Sequence, residues 1–133
     1  MNNEWQARVE IGSHAQQQSV EQPMGLFDRG PAIMEMDPQE AAAAMKAGAV
    51  LLDVRELSEW QMGHAVGATH IPLTQLQSKI AELPAGRRGL CICASGSRSK
   101  SAATILTQAG CKDVTNVRGG TFAWSRAGLP MAR

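Results

Sequence analysis

The run Leu90-Cys-Ile-Cys-Ala-Ser-Gly-Ser-Arg-Ser99 constrains this chain more than any other stretch. Four apolar residues read as a short buried strand that delivers Cys93 to a tight turn of small residues. The turn ends at Arg98, where an Ala-rich helical pattern begins. Ala94, Ser95 and Gly96 have side chains small enough for the backbone to curl tightly, and Gly96 can adopt a positive φ. Backbone N–H groups of such a turn, with a helix N-terminus behind them, form an electropositive cup around the cysteine sulfur. A thiol in that setting gives up its proton easily and becomes a nucleophile. A strand-end cysteine buried purely for packing is the plain alternative. It would need none of Ser95, Gly96, Ser97 and Arg98 directly after it.

Strands and helices alternate along the rest of the chain. Ile33-Met34-Glu35-Met36 reads as a first strand. Asp37 then caps a helix with Pro38 at its first position and Glu40 at its third, running through the alanines to Lys46 and closed by Gly48. Val50-Leu51-Leu52-Asp53-Val54 is the near-continuous apolar run expected of a strand covered on both faces. Glu56 to Met62 predicts a short helix with Trp60 facing inward, stopped by Gly63. Thr69-His70-Ile71 predicts a brief strand ending at Pro72, and Leu73, Leu76, Ile80 and Leu83 give helical spacing over 73–83. After the cysteine turn come a helix from Ser99 to Ala109, ended by Gly110, a strand at Val114–Val117, and a helix around Phe122 and Trp124. The order implies an α/β fold: a parallel sheet of about five strands with helices on both faces. Ligands in such folds sit beyond the carboxyl ends of the strands, which is where Cys93 falls. Residues 1–31 are polar, with Gln16-Gln17-Gln18 at their centre, and are expected to form a flexible extension to a folded domain at 32–133.

Composition removes several functional classes. A 44% hydrophobic share with 19% charge describes an ordinary globular protein. A formal net charge of +1 gives no electrostatic case for nucleic acid or an anionic membrane surface. No apolar run approaches the ~18 residues of a membrane span, and residues 1–30 lack the apolar centre of a signal peptide; the odd number of cysteines makes a reducing cytoplasm the expected setting. Three cysteines do not make a disulfide framework, and their spacing is not that of structural zinc. His14, His64 and His70 stand singly, as surface or packed histidines.

Several patches together resemble the rhodanese-like sulfurtransferases. They are Leu51-Leu52-Asp53-Val54-Arg55-Glu56, Glu59-Trp60, Gly63-His64, Gly67-Ala68, His70-Ile71-Pro72-Leu73, the turn from Cys93 to Arg98, and Gly119-Gly120 with Trp124. The resemblance spans about residues 32 to 130 in one register and looks like a single-domain member; Val66 stands where the family often has proline. It implies that Cys93 takes a sulfane sulfur from a donor such as thiosulfate, holds it as a persulfide and yields it to cyanide, a thiol or a protein acceptor. It implies no metal and no organic cofactor. On this reading the N–H groups of Ala94, Ser95, Gly96, Ser97, Arg98 and Ser99 cradle the transferred sulfur and its anionic donor. Arg98 has two open roles: pointing inward to the donor anion, or pairing with Asp53 or Glu56 to brace the loop. Ser97 and Ser99 either donate hydroxyl hydrogen bonds to the anion or cap the following helix.

The remaining residues take structural readings. Asp53 holds Arg55 or caps the helix after it, and Arg55 pairs with Glu59 at helical spacing. Trp60 and Trp124 fill the core. Gly119-Gly120 is a turn that lets the last helix pack closely. Cys91 faces the same side as Cys93 but deeper, as packing, and Cys111 is a turn residue. A phosphatase or arsenate reductase would also use a cysteine and an arginine around an anion loop. Phosphate-acting relatives of this fold carry a loop one residue longer than Cys93–Arg98. A binding module that has lost its chemistry, and a sulfur carrier serving a protein partner, are the other readings; the presence of Cys93 weakens the first.

Overall fold

The computed structural model describes residues 32–84 and 86–133; the expectation for residues 1–31 lies outside them. Five strands form one parallel sheet: β1 (Met34–Met36), β2 (Val50–Asp53), β4 (Thr69–His70), β5 (Gly89–Ile92) and β6 (Val114–Val117), in the spatial order β1-β6-β5-β2-β4. Between them run α1 (Pro38–Lys46), α2 (Leu57–Met62), α3 (Leu76–Lys79) flanked by single 3-10 turns, α4 (Ser97–Gln108) and α5 (Gly120–Arg126). This is the α/β architecture expected. A small antiparallel pair, β3 (His64–Ala65) with β7 (Met131–Ala132), was not anticipated; two-residue strands carry no periodicity to read.

The central strands are apolar throughout because both faces are covered. Leu52, Cys91 and Cys93 face one core with Ala102, Ala103 and Leu106 of α4 and Leu76, Ile80 and Leu83. Leu51, Leu90 and Ile92 face the other with Ala41 of α1 and Trp124 of α5. Adjacent residues alternate between the two cores, as the period of two in a strand requires. Because β5 lies at the centre of the order, its carboxyl end is the deepest part of the crevice.

Three local expectations need correcting. The helix over 73–83 is broken into 3-10, α and 3-10 turns. The apolar spacing matches that outcome: three residues from Leu73 to Leu76, four to Ile80 and three to Leu83. Helix α4 begins at Ser97, two residues before the expected start, with Gly96 as its N-cap at φ 108. Neither Ser97 nor Ser99 therefore caps it. Trp60 does not fill the core: α2 has no fully buried residue, and the indole stacks with the rings of His64 (3.5 Å, 1° between planes) and His70 (4.8 Å, 17°). The two histidines are thus not isolated, since the chain folds both against one indole. Trp124 is buried as expected, its Nε1 donating to the Pro130 carbonyl at 2.9 Å.

Candidate active site

Strand β5 ends at Ile92, so Cys93 is the first residue of the turn and its side chain points to the α4 side of the sheet. The Gly96 N–H donates to Cys93 Sγ at 3.1 Å, and the Ser99 hydroxyl lies 3.3 Å from the same sulfur. Cys93 has no solvent-exposed surface, and burial alone would push its thiol up. The Ser99 hydroxyl and the N–H groups of Ser99, Gly96 and Ser95 outweigh that penalty, and the thiol settles below its ordinary value. Cys91 has the same burial without those donors. Its thiol is pushed up to about 12 by burial, with the neighbouring Cys111 and Cys93 adding to the effect.

The turn is held from outside by α5. Thr121 N–H donates to the Cys93 carbonyl at 2.7 Å, the Thr121 hydroxyl to the same oxygen at 3.0 Å, and Phe122 N–H to the Ala94 carbonyl at 3.2 Å. With those carbonyls turned toward the N-terminus of α5, the N–H groups of the turn are left facing the sulfur. The glycine pair makes this approach possible. A Cβ on Gly120 would stand 2.3 Å from the Cys93 oxygen and 2.5 Å from the Ala94 oxygen. Gly119 and Gly120 also both take positive φ, 77 and 59.

Arg98 occupies the second position of α4 and reaches across to α2. Its Nη1 and Nη2 donate to Oε1 and Oε2 of Glu59 at 2.6 and 2.7 Å, a bidentate pair. The acidic partner is thus Glu59, not Asp53 or Glu56. Glu59 also closes the capping box of α2, accepting the Glu56 N–H at 3.0 Å. The expected Arg55–Glu59 pair does not form. Arg55 is buried against Asp53, with Nε at 3.0 Å from Oδ1 and Nη2 at 2.8 Å from Oδ2, and it also donates to the Gly63 carbonyl at 2.6 Å. The short i, i+2 reach between neighbouring strand-end residues wins over the helical one because the Asp53 carboxylate, wholly buried, has the greater need of a charged partner.

The Arg98 guanidinium bonded to Glu59 holds its carboxyl down, from 4.5 to about 2. A group lowered in the folded state contributes stability above its unfolded value and loses it as pH falls through the folded one. The brace should therefore weaken between pH 4.5 and about 2. About a third of both side chains is exposed, so solvent screening limits the contribution to about 1 kcal/mol or less. Acid titration of thermal stability should show a smaller loss over that window in Glu59→Gln than in the wild type.

The structure therefore brings Cys93, Gly96 and Ser99 into direct contact and sets Arg98 at the rim, while Ser95 and Ser97 are exposed. Sequence reasoning missed Asn116, Thr121 and Glu59. For the first two a signal existed: they flank Arg118 and the glycine pair just past the end of β6, the strand next to β5. Among the described residues, no group of three or more His, Cys, Asp or Glu is placed to hold a metal ion. None of the described helices is long and apolar enough to cross a membrane. A cleft of about 370 Å³ between Ala44–Ala49 and Gly86–Arg88 lies at the opposite ends of the strands from Cys93. Its Arg87 is engaged with the Gly48 carbonyl, and Arg88 with Thr115.

Comparison with known proteins places the chain in a family. Residues 37–127 match the family model described as a rhodanese-like domain. A sulfurtransferase of Allochromatium vinosum is 37% identical over 62% of this chain and 77% of its own length. The thiosulfate sulfurtransferase GlpE of Pseudomonas savastanoi is 34% identical over 70% of this chain and 87% of its own. A rhodanese-related protein from Thermoplasma volcanium superposes with a TM-score of 0.69 at 30% identity, over 74% of this chain and 97% of the other.

Proposed function

This chain belongs to the rhodanese-like domain family, and from that premise we propose that it transfers sulfane sulfur through a persulfide on Cys93. The observation that carries the reading is the sulfur cradle: a thiol held below its ordinary value by Gly96, Ser99 and Ser95 at the carboxyl end of the central strand. With thiosulfate as donor, the Cys93 thiolate attacks the outer sulfur. A Cys93 Sγ–S bond forms, the S–S bond of thiosulfate breaks, and sulfite leaves with the electron pair. The anionic persulfide that results needs donors in the same place as the thiolate did, so the cradle stabilises both without rearranging. Cyanide then attacks the outer sulfur, thiocyanate departs, and the thiolate is restored. No net charge is created in either half, which suits a fully buried sulfur.

Arg98 serves the site from its rim. Its bidentate bond to Glu59 fixes the first turn of α4, the bracing role. Cys93 has no exposed surface at rest, so a donor reaches its sulfur only when the side chains around it yield. The relative named for thiosulfate sulfurtransfer supports thiosulfate as the first donor to try. Reduced protein incubated with thiosulfate should gain the mass of one sulfur atom and lose it on addition of cyanide. Failure to gain mass from thiosulfate or from glutathione persulfide would sink the reading in favour of a non-catalytic module.

A further inference from the structure

Behind the cradle lies a buried polar side chain that neither burial nor packing explains. Asn116 on β6 has almost no exposed surface, in a strand that is otherwise fully covered. Its carboxamide bonds on both sides. Oδ1 accepts the Ser99 hydroxyl at 2.5 Å; Nδ2 donates to Glu35 Oε2 at 3.0 Å and to the Gly96 carbonyl at 3.2 Å. Ser99 and Gly96 both hydrogen-bond Cys93 Sγ, alongside the Ser95 N–H. One side chain thus grips two of the residues that hold the sulfur. The two acceptors around Nδ2 fix which way the amide points, since turning it over would set Oδ1 against the Glu35 carboxylate and a carbonyl.

We infer that Asn116 is the positioning residue of the sulfur cradle, holding the Ser99 hydroxyl and the Gly96 peptide where they stabilise an anionic sulfur on Cys93, with Glu35 setting the orientation of its amide. The inference rests on Cys93 being the reactive thiol of the proposed function. A serine inside the first turn of a helix otherwise turns its hydroxyl back onto a carbonyl three or four residues earlier. For Ser99 those carbonyls belong to Gly96 and Ser95. The Asn116 amide occupies one of them and offers Ser99 a better acceptor, so the hydroxyl stays within 3.3 Å of the sulfur. In the thiol form the single hydroxyl proton rests on Asn116; when Cys93 ionises, a small rotation brings that proton to the thiolate.

The test is the titration of Cys93, read from ultraviolet thiolate absorbance after subtracting the Cys93→Ser counterpart of each variant. The other charged groups near the sulfur keep their places: Arg98 with Glu59 from α4 and α2, Asp53 with Arg55 at the end of β2, and Arg118 beside Glu35. Buried Cys91, pushed up to about 12, stays outside the range titrated. Asn116→Ala should raise the Cys93 midpoint by about one pH unit, which is up to about a tenfold loss of thiolate below it. If that variant does not fold, Asn116→Leu, which keeps the side-chain volume without a donor, an acceptor or a charge, takes its place, and its midpoint should also rise. Thermal unfolding is followed alongside. A lower unfolding temperature with an unmoved midpoint would reduce Asn116 to a structural residue, and a midpoint that falls would mean the amide competes with sulfur for the hydroxyl; either overturns the inference. The titration needs no donor, so a wild type that takes no sulfur from thiosulfate would sink the proposed function while leaving this result to stand or fall separately.

Discussion

Cys93→Ser is expected to abolish sulfur uptake, lowering the rate by roughly a thousandfold or more, as loss of a covalent nucleophile does. The fold should survive, because the hydroxyl that replaces the thiol meets the same Gly96 N–H and Ser99 partners and is not left unsatisfied. Cys91→Ala and Cys111→Ala should keep most of the uptake. Cys91 sits two residues earlier on the same strand and faces the same core, yet its thiol is pushed up to about 12 by burial. Near neutral pH it holds on the order of one thiolate in 10⁵, against a Cys93 thiol lowered by its donors. The same contrast sets the pH dependence. Uptake by the wild type should persist below the ordinary thiol range and fall only as pH drops through the lowered Cys93 value. The measurement is the rate of mass gain from thiosulfate across pH for the three variants. Loss of uptake in a folded Cys91→Ala protein would move the nucleophile to the wrong side of this argument.

The parts of this site that were legible in the sequence are those whose cause is local. The strand, turn and helix around Cys93 lie within ten consecutive residues, and the small side chains there leave the backbone few choices. The Asp37 and Glu40 capping box and the hold of Asp53 on Arg55 also need only neighbours. What escaped is what depends on distance along the chain. Arg98 and Glu59 are 39 residues apart, and no spacing rule selects Glu59 over Asp53 or Glu56. The choice is made by α2 and α4 both starting at the carboxyl edge of the sheet, with Glu59 already turned back to cap its own helix.

Helix starts illustrate a subtler limit. Ser99 resembles a cap because serine favours that position, but Gly96 takes it with a left-handed backbone, and the serine is carried inside the first turn. That shift of two residues changes its role from satisfying the helix to facing the sulfur. Trp60 failed for the opposite reason: a large apolar ring on a helix suggests a core, whereas a short helix near the edge strand β4 has no core to offer it. The histidines that stack with it come from β3 and β4, and their approach follows from the tight turns at Gly63 and Gly67, not from any helical period.

Gly120→Ala should be strongly damaging, because a Cβ there meets backbone closer than at any of the other positive-φ glycines with a described Cβ environment. Its positive φ of 59 costs an alanine about 1 kcal/mol, which the protein could absorb. The new Cβ is a different matter, at 2.3 and 2.5 Å from the carbonyl oxygens of Cys93 and Ala94. Both neighbours are backbone, so neither can rotate out of the way. Relief requires α5 to back away from the cysteine turn, breaking the bonds from Thr121 and Phe122 to those same oxygens. A loss on the order of 3 kcal/mol or more follows from overpacking and the broken bonds, which corresponds to a fall in unfolding temperature of at least about 10 °C. The turn would also lose the outer donors that hold its carbonyls and leave its N–H groups facing the sulfur, so any folded fraction should titrate Cys93 higher and take up sulfur more slowly than the wild type. Gly128→Ala is the control: it too has a positive φ, 76, but nothing lies within 4 Å of its new Cβ. It should cost only the backbone strain and leave the Cys93 titration in place. Equal damage from the two would mean that φ strain, and not the close approach of α5 to the cysteine turn, is what position 120 requires of glycine.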